Sequence, residues 1–218
     1  MEIKAVLLDA DGVLFDSREW SLKYYFLAAE NLGLRIPTRK EFLAAWALPW
    51  QEFLNTLWPS IDALTFDRAV NKLDKEPIPA VPGAKKIVLW LKSRRFFLGL
   101  ISNRVRVSLE KEMGQAKVPF EFFNYVQAVN DFRFAKPDPR VFNPVLSLLA
   151  ERGIPRSKAI FVGATLSDLE AAKGAGITFV GVLTGGATKE QFLAAGLDES
   201  HILDSITDLP KFLEGGNL

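Results

Sequence analysis

The sequence predicts an α/β protein: a Rossmann-like, doubly wound parallel sheet with an all-α domain inserted after the first strand. Three observations carry that expectation. Short runs such as "IKAVLL", "FFLGLIS", "KAIFVG" and "ITFVGVL" are almost wholly apolar, as strands buried on both faces must be. Amphipathic segments alternate with them, which is the signature of a parallel sheet covered by helices. Between Ser17 and Asp74 the alternation stops, and apolar residues recur only at helical spacing.

Taken in order, the first strand spans 3–8 and is halted by Asp9. Helices follow in "SLKYYFLAAENLG", "RKEFLAAWAL", "QEFLNTLW" and "ALTFDRAVNKL", with breaks at Pro37, Pro49 and Pro59. The proline-rich passage "KEPIPAVPG", 75–83, reads as a hinge. Residues 1–16 and 80–218 are thus expected to form one α/β domain, and 17–79 a helical one. In the second part, helices are expected over 84–93, 105–115, 139–153 (bent at Pro144) and 167–176. They alternate with strands over 96–102, 125–129, 158–163 and 177–183. A weaker helix, a short strand at "HILD" and a closing helix complete the chain.

Composition narrows the function. Of 218 residues, 49% are apolar and 24% charged, as in soluble globular proteins. Lys and Arg number 27 against 26 acids, so no global field favours nucleic acid or an anionic membrane. The absence of cysteine excludes disulfides, thiolate metal sites and cysteine nucleophiles, and fits a reducing compartment or a heat-adapted chain poor in labile residues. The N-terminal apolar run is too short for a signal peptide, and no stretch approaches about 20 apolar residues. A cytoplasmic location is expected. His201, the only histidine, falls on a late short strand away from the strand-end motifs. Histidine-based catalysis is therefore not expected, and no feature fixes an oligomeric state.

Ligand sites of parallel sheets lie at the carboxyl ends of the strands. The residues just past those ends are Asp9–Gly12, Ser102–Arg104, Asn130–Lys136 and Gly163–Asp168, and they hold most of the chain's plausible chemistry. "DADGVLFDS" places Asp9 and Asp11 two apart, so both can face one substrate, one as nucleophile and one managing protons. A simple turn would use the same residues. An EF-hand loop fails, because a strand precedes the motif and Trp20 stands where the bidentate glutamate is required. "LISNR" ends a strand with Ser102 and Asn103, suited to a phosphate oxygen or to a plain helix N-cap. Lys136 in "AKPDP" is a compact cation that can neutralise a phosphate, although exposed lysines are common. In "GATLSD", Asp168 suits either a divalent cation or the positive end of the helix it begins.

These motifs, in this order, resemble the haloacid dehalogenase superfamily, and in particular its phosphoglycolate phosphatase-like branch with a small helical cap. The resemblance spans essentially the whole chain. It implies that Asp9 attacks phosphorus to form an aspartyl-phosphate, and that Asp11 protonates the leaving oxygen and then activates water. It further implies that Gly12, Ser102, Asn103 and Lys136 bind the phosphate. Magnesium is implied as cofactor, held by Asp9, the Asp11 backbone carbonyl and the acids of the last motif, here Asp168. Asp11 argues against a dehalogenase, whose similar motif lacks the second carboxylate.

The departure is Ala164. The family pattern "VGDTLSDLEAAKAAG" has a metal-ligating aspartate where this chain has alanine. Three readings follow: Asp168 and water complete a weaker metal site, the chain is a degenerate enzyme that still binds phosphorylated ligands, or the alanine was introduced for a natural aspartate. Four of five tryptophans, Trp20, Trp46, Trp50 and Trp58, fall in the insertion, where large side chains also serve a small core. Trp50 is singled out because "WALPW" occupies the place of a Gly-x-Pro specificity loop in related caps, with Ala47 for glycine. Arg18 and Arg104 are placed to meet a second anionic group of the substrate or to stand solvated. The expected function is a magnesium-dependent phosphatase acting on a small phosphorylated metabolite, with no nucleic-acid or membrane partner. The alternatives are an impaired relative that works by binding and, less favoured, a phosphomutase.

Overall fold

Residues 2–46, 48, 50–118 and 120–215 are described in the computed structural model. Six parallel strands form one sheet: β1 (Ala5–Leu8), β2 (Phe97–Ile101), β3 (Tyr125–Gln127), β4 (Ala159–Gly163), β5 (Thr178–Val182) and β6 (Ile202–Leu203). Their spatial order is β3-β2-β1-β4-β5-β6. Every residue of β1, β2 and β4 is buried, which explains why these strands read as unbroken apolar runs. Val6 and Leu8 face one core with α5 (Ala84–Ser93), α6 (Arg106–Gln115) and α10 (Leu209–Glu214). Ala5 and Leu7 face the other, with α7 (Asn143–Glu151), α8 (Leu166–Ala175) and α9 (Lys189–Ala194). The expected α/β architecture is therefore observed.

The insertion consists of α1 (Ser17–Asn31), α2 (Arg39–Ala45), α3 (Trp50–Leu57) and α4 (Ala63–Lys72). It has its own apolar cluster around Ala28, Phe42, Phe53, Leu54, Trp58 and Phe66. Local chemistry sets its helix starts: Thr38 and Glu41 form a capping box, and Asp62 accepts from the Thr65 N–H. The chain leaves and re-enters the α/β part side by side. Asp16 N–H donates to the Pro79 carbonyl (2.8 Å) and Val81 N–H to the Leu14 carbonyl (2.9 Å).

Three local expectations change. The segment 139–153 is a 3₁₀ turn (Pro139–Phe142) followed by α7, so Pro144 begins a helix instead of bending one. At that position its missing N–H costs no hydrogen bond. β3 stops at Gln127, because the next N–H groups turn to the Asp131 carboxylate (Ala128, 2.7 Å) and the Arg104 carbonyl (Val129, 2.9 Å). His201 closes a 3₁₀ turn before β6. Ala47 and Pro49 lie outside the described residues. Among the described residues no helix is long and apolar enough to cross a membrane.

Phe161 on β4 stacks edge-on against Phe142 (4.9 Å between centroids) and is fully buried. Phe161→Ala should lower unfolding free energy by about 3–5 kcal/mol, measured by chemical denaturation.

Candidate active site

Chain order places the site. The strands run outward from β1 to β3 on one side, and then the chain crosses to β4 on the other. Loops after β1 and β4 thus diverge at the switch point and leave a crevice. A cavity of about 500 Å³ opens there, lined by Asp9, Asp11, Arg104, Lys136 and Asp168 among others. A second cleft of about 770 Å³ lies at the amino ends of β1 and β2, among Lys4, Trp90, Arg95 and Phe97, far from these carboxylates.

Asp9 follows β1 directly, its N–H bound to the Val162 carbonyl of β4 (2.9 Å). The next turn is tight: the Ala10 carbonyl accepts from the N–H groups of Leu14 (2.8 Å) and Phe15 (2.9 Å). Lys136 Nζ lies 2.7 Å from Asp9 Oδ1 and 2.6 Å from Asp168 Oδ1, and all three side chains are buried. Asp168 is the third residue of α8. Its Oδ2 accepts from the N–H groups of Ala164 and Thr165 (3.0 Å each) and from the Thr165 hydroxyl (2.7 Å). Burial pushes the Asp9 carboxyl up to about 7; repulsion from Asp168 adds to this, and Lys136 offsets only part of it. Burial works against the Lys136 ammonium, yet its two carboxylate partners raise its pKa above the ordinary value.

Asp11 has a different environment. Arg104 grips it with both arms, Nε to Oδ2 and Nη2 to Oδ1 at 2.7 Å each, while Nη1 donates to Glu112 (2.6 Å). Burial would raise the Asp11 pKa, but the guanidinium outweighs it and holds the carboxyl below its ordinary range. Both Asp11 oxygens are thereby engaged by Arg104, an arrangement that favours the ionised carboxyl. Arg104 meets protein carboxylates where the sequence reading offered it a second anionic group of the substrate.

The other residues expected to contact phosphate also hold the scaffold. The Gly12 N–H donates to the Phe15 carbonyl (2.8 Å), so it is committed. Gly12 is needed for its backbone: φ is +74°, and a Cβ there would lie 2.5 Å from Gly185 Cα and 2.8 Å from the Ala164 methyl. Asn103 clasps the backbone of Lys136, its Nδ2 donating to the carbonyl (2.9 Å) and its Oδ1 accepting the N–H (3.1 Å). Ser102 is buried, and its Oγ accepts the Arg104 N–H (3.1 Å). Arg18 lines the cavity with Nη1 on the Gly185 carbonyl (3.0 Å), and Trp50 lines it against Phe53. Sequence reading singles out only part of the lining and passes over Tyr25, Asp67, Gly185 and Gly186 among others. Tyr25 follows Arg18 and Ser21 at helical spacing on the same face of α1, a signal that was present. Gly185 and Gly186 come from the loop after β5, a strand end not considered.

The magnesium implied by the family pattern finds a poor set of donors. Hard divalent cations need several oxygen ligands, usually including free carboxylates. Here residue 164 is a buried methyl, and Asp9 and Asp168 already share the Lys136 ammonium. Among the described residues no three acidic, histidine or cysteine side chains gather closely enough to hold a metal ion. The residues present do not fit the ion.

The sequence pattern of the haloacid dehalogenase-like hydrolases matches residues 6–182. The chain belongs to that family. A phosphoglycolate phosphatase from Pseudomonas savastanoi pv. phaseolicola is 30% identical over 104 residues, 48% of this chain and 37% of that protein. Pyrophosphatase PpaX from Halalkalibacterium halodurans is 23% identical, covering 96% of each chain. In several relatives the matched stretch is only 21–37% of the relative's own length. The solved structure of a hydrolase from Pseudomonas syringae superposes with a TM-score of 0.75 at 20% identity, covering 98% of this chain and 99% of that one, which shows the common fold.

Arg104→Met removes the guanidinium from Asp11 and leaves only the Ser17 hydrogen bond and the Lys136 charge to oppose burial. The Asp11 carboxyl should then titrate at a higher pH than in the parent chain, read by ¹³C NMR of the side-chain carboxyl.

Proposed function

We propose that the chain hydrolyses the phosphomonoester of a small metabolite through an aspartyl-phosphate on Asp9. The buried Asp9–Lys136–Asp168 chain at the switch point carries this reading. A carboxylate approaches an anionic phosphate only where a fixed cation screens the repulsion, and Lys136 is that cation. The names of the two relatives, a phosphatase and a pyrophosphatase, support chemistry at phosphorus.

In the first step an Asp9 carboxylate oxygen bonds to phosphorus as the ester P–O bond breaks, and the leaving oxygen departs as the alkoxide and takes its proton from water. In the second, water attacks phosphorus, the bond to Asp9 breaks, and inorganic phosphate forms while Asp11 takes the water proton. Asp11, ionised on Arg104, suits that second task better than protonating the leaving oxygen. The helical segment 17–79 acts as a cap that shields the intermediate from stray water. Ala164 favours a second reading, in which the site binds phosphorylated ligands without turnover.

Asp9→Asn separates the two readings, since it should cut turnover of p-nitrophenyl phosphate by about a thousandfold or more. Equal rates in both proteins would sink the nucleophile. Because Asp9 must be ionised to attack, kcat/KM should fall as pH drops through about 7, in a steady-state pH profile. Magnesium dependence is tested by Ala164→Asp, which supplies a carboxylate at the position where the family pattern has one. Turnover by that variant should rise with added magnesium while the parent's should not, measured on the same substrate.

A further inference from the structure

The cavity has a charged floor and an aromatic wall. The floor is Asp9, Asp11, Arg104 and Lys136 from the strand ends, and the wall is Tyr25, Trp46, Leu48, Trp50 and Phe53 from the insertion. Trp50 lies nearly flat on Phe53 (5.6 Å between centroids, 16°) and Trp46 on Phe42 (5.3 Å, 22°), so the helical core covers one face of each indole. Tyr25 packs against both, at 5.6 Å from Trp50 and 6.3 Å from Trp46. All three rings nevertheless keep part of their surface exposed. Two of the chain's exposed large apolar side chains, Leu48 and Val105, line the same cavity. Apolar surface this concentrated in one concavity marks a binding region.

Charge narrows the ligand further. Lys136 is shared by two aspartates, Arg104 by Asp11 and Glu112, and Arg18 reaches the Gly185 carbonyl. The wall itself contributes no cation, and α4 brings Asp67 to the cavity with no ion-pair partner among the described residues. A carboxylate on the alcohol portion, as in phosphoglycolate, would face Asp67, opposed only by Arg18, whose Nη1 the Gly185 carbonyl already holds. A cavity of about 500 Å³ is also the size of a ring-bearing ligand and far larger than a two-carbon acid needs.

We propose that the substrate is a phosphomonoester of an uncharged, ring-bearing alcohol, an aryl phosphate, and that Trp50 determines this specificity by stacking on the ring. The proposal rests on Asp9 and Lys136 receiving the phosphoryl group, as argued above. The ring replaces water against Tyr25, Trp46 and Trp50, which stabilises the complex by area burial and by edge-to-face or offset contacts.

Binding is measured by calorimetry in the Asp9→Asn chain, so that catalysis does not intervene. 1-Naphthyl phosphate should bind about 30-fold or more tighter than 2-phosphoglycolate or phosphocholine. A further Trp50→Ala change should weaken naphthyl phosphate by about tenfold and leave inorganic phosphate unchanged, while Trp50→Phe restores most of the affinity. The proposal is overturned if phosphoglycolate or phosphocholine binds as tightly as naphthyl phosphate, or if Trp50→Ala weakens inorganic phosphate equally. It is overturned as well if Trp50→Ala changes nothing. Hydrolysis by the parent chain distinguishes the two claims. Naphthyl phosphate bound tightly but never hydrolysed removes the phosphatase reading and leaves standing the selection of aryl phosphates by Trp50, as ligands and not substrates. Preferred hydrolysis of phosphoglycolate does the reverse, and failure to bind any phosphate removes both.

Discussion

One ammonium group shared between two buried carboxylates organises this molecule's chemistry. Lys136 Nζ sits within 2.7 Å of Asp9 and of Asp168, which come from the ends of adjacent strands. Such a group is expensive to bury and tolerable only when each charge is paired and each remaining lone pair is used. The surrounding structure meets those conditions. Asp168 spends its second oxygen on the first turn of α8, Asn103 fixes the backbone that carries Lys136, and the Phe161 ring lies 5.3 Å from the ammonium. Two negative charges against one positive leave Asp9 under-neutralised. Burial, with that imbalance added, raises the Asp9 carboxyl from its ordinary acidic range to about 7.

The same accounting explains the neighbours. Asp11, two residues from Asp9, would add a third negative charge, and Arg104 cancels it locally with a bidentate pair. Residue 164 would add a fourth if it were acidic. As alanine it is instead a packing point where three loops meet. Its carbonyl accepts the Ala187 N–H (2.9 Å), and there is no room beside its methyl for a Cβ at Gly12 or Gly185. The loops after β1, β4 and β5 are therefore held together by van der Waals contact and backbone bonds at the place where the family pattern has a metal ligand. An aspartate there would have to find a cation or face Asp9 and Asp168 unscreened.

What the sequence made legible follows from this physics. Strands buried on both faces cannot hide their composition, so β1, β2, β4 and β5 were readable, and the sheet's topology then turned Asp9, Lys136 and Asp168 into neighbours. Partnerships across long separations were not readable. Nothing in "SNR" says that Arg104 will close on a carboxylate 93 positions earlier. Nor does the residue type disclose that Asn103 and Gly12 serve the backbone, because amides and glycines bind ligands and shape loops equally well. Pro144 departs from the expected bend for a local reason: proline interrupts a helix in its middle and suits one at its first turn, and the boundary decides which applies.

Floor and wall of the cavity are built by different parts of the chain, and α1 is the element that touches both. Its first turn brings Ser17 and Arg18 to the floor, and two turns later Tyr25 stands in the wall, about 10 Å further along the axis. The remaining connection is the pair of antiparallel passages at 14–16 and 79–81. A small rotation at those passages would tilt the aromatic wall as a unit, because its rings are packed on one another and on Phe42, Phe53 and Phe66. The floor would not follow, since its charges are locked into the sheet by Lys136 and Arg104. Chemistry is thus fixed by the strand ends while the space above it is set by how the insertion sits. Substitutions in the wall are free to change what is accepted without disturbing the ion chain beneath.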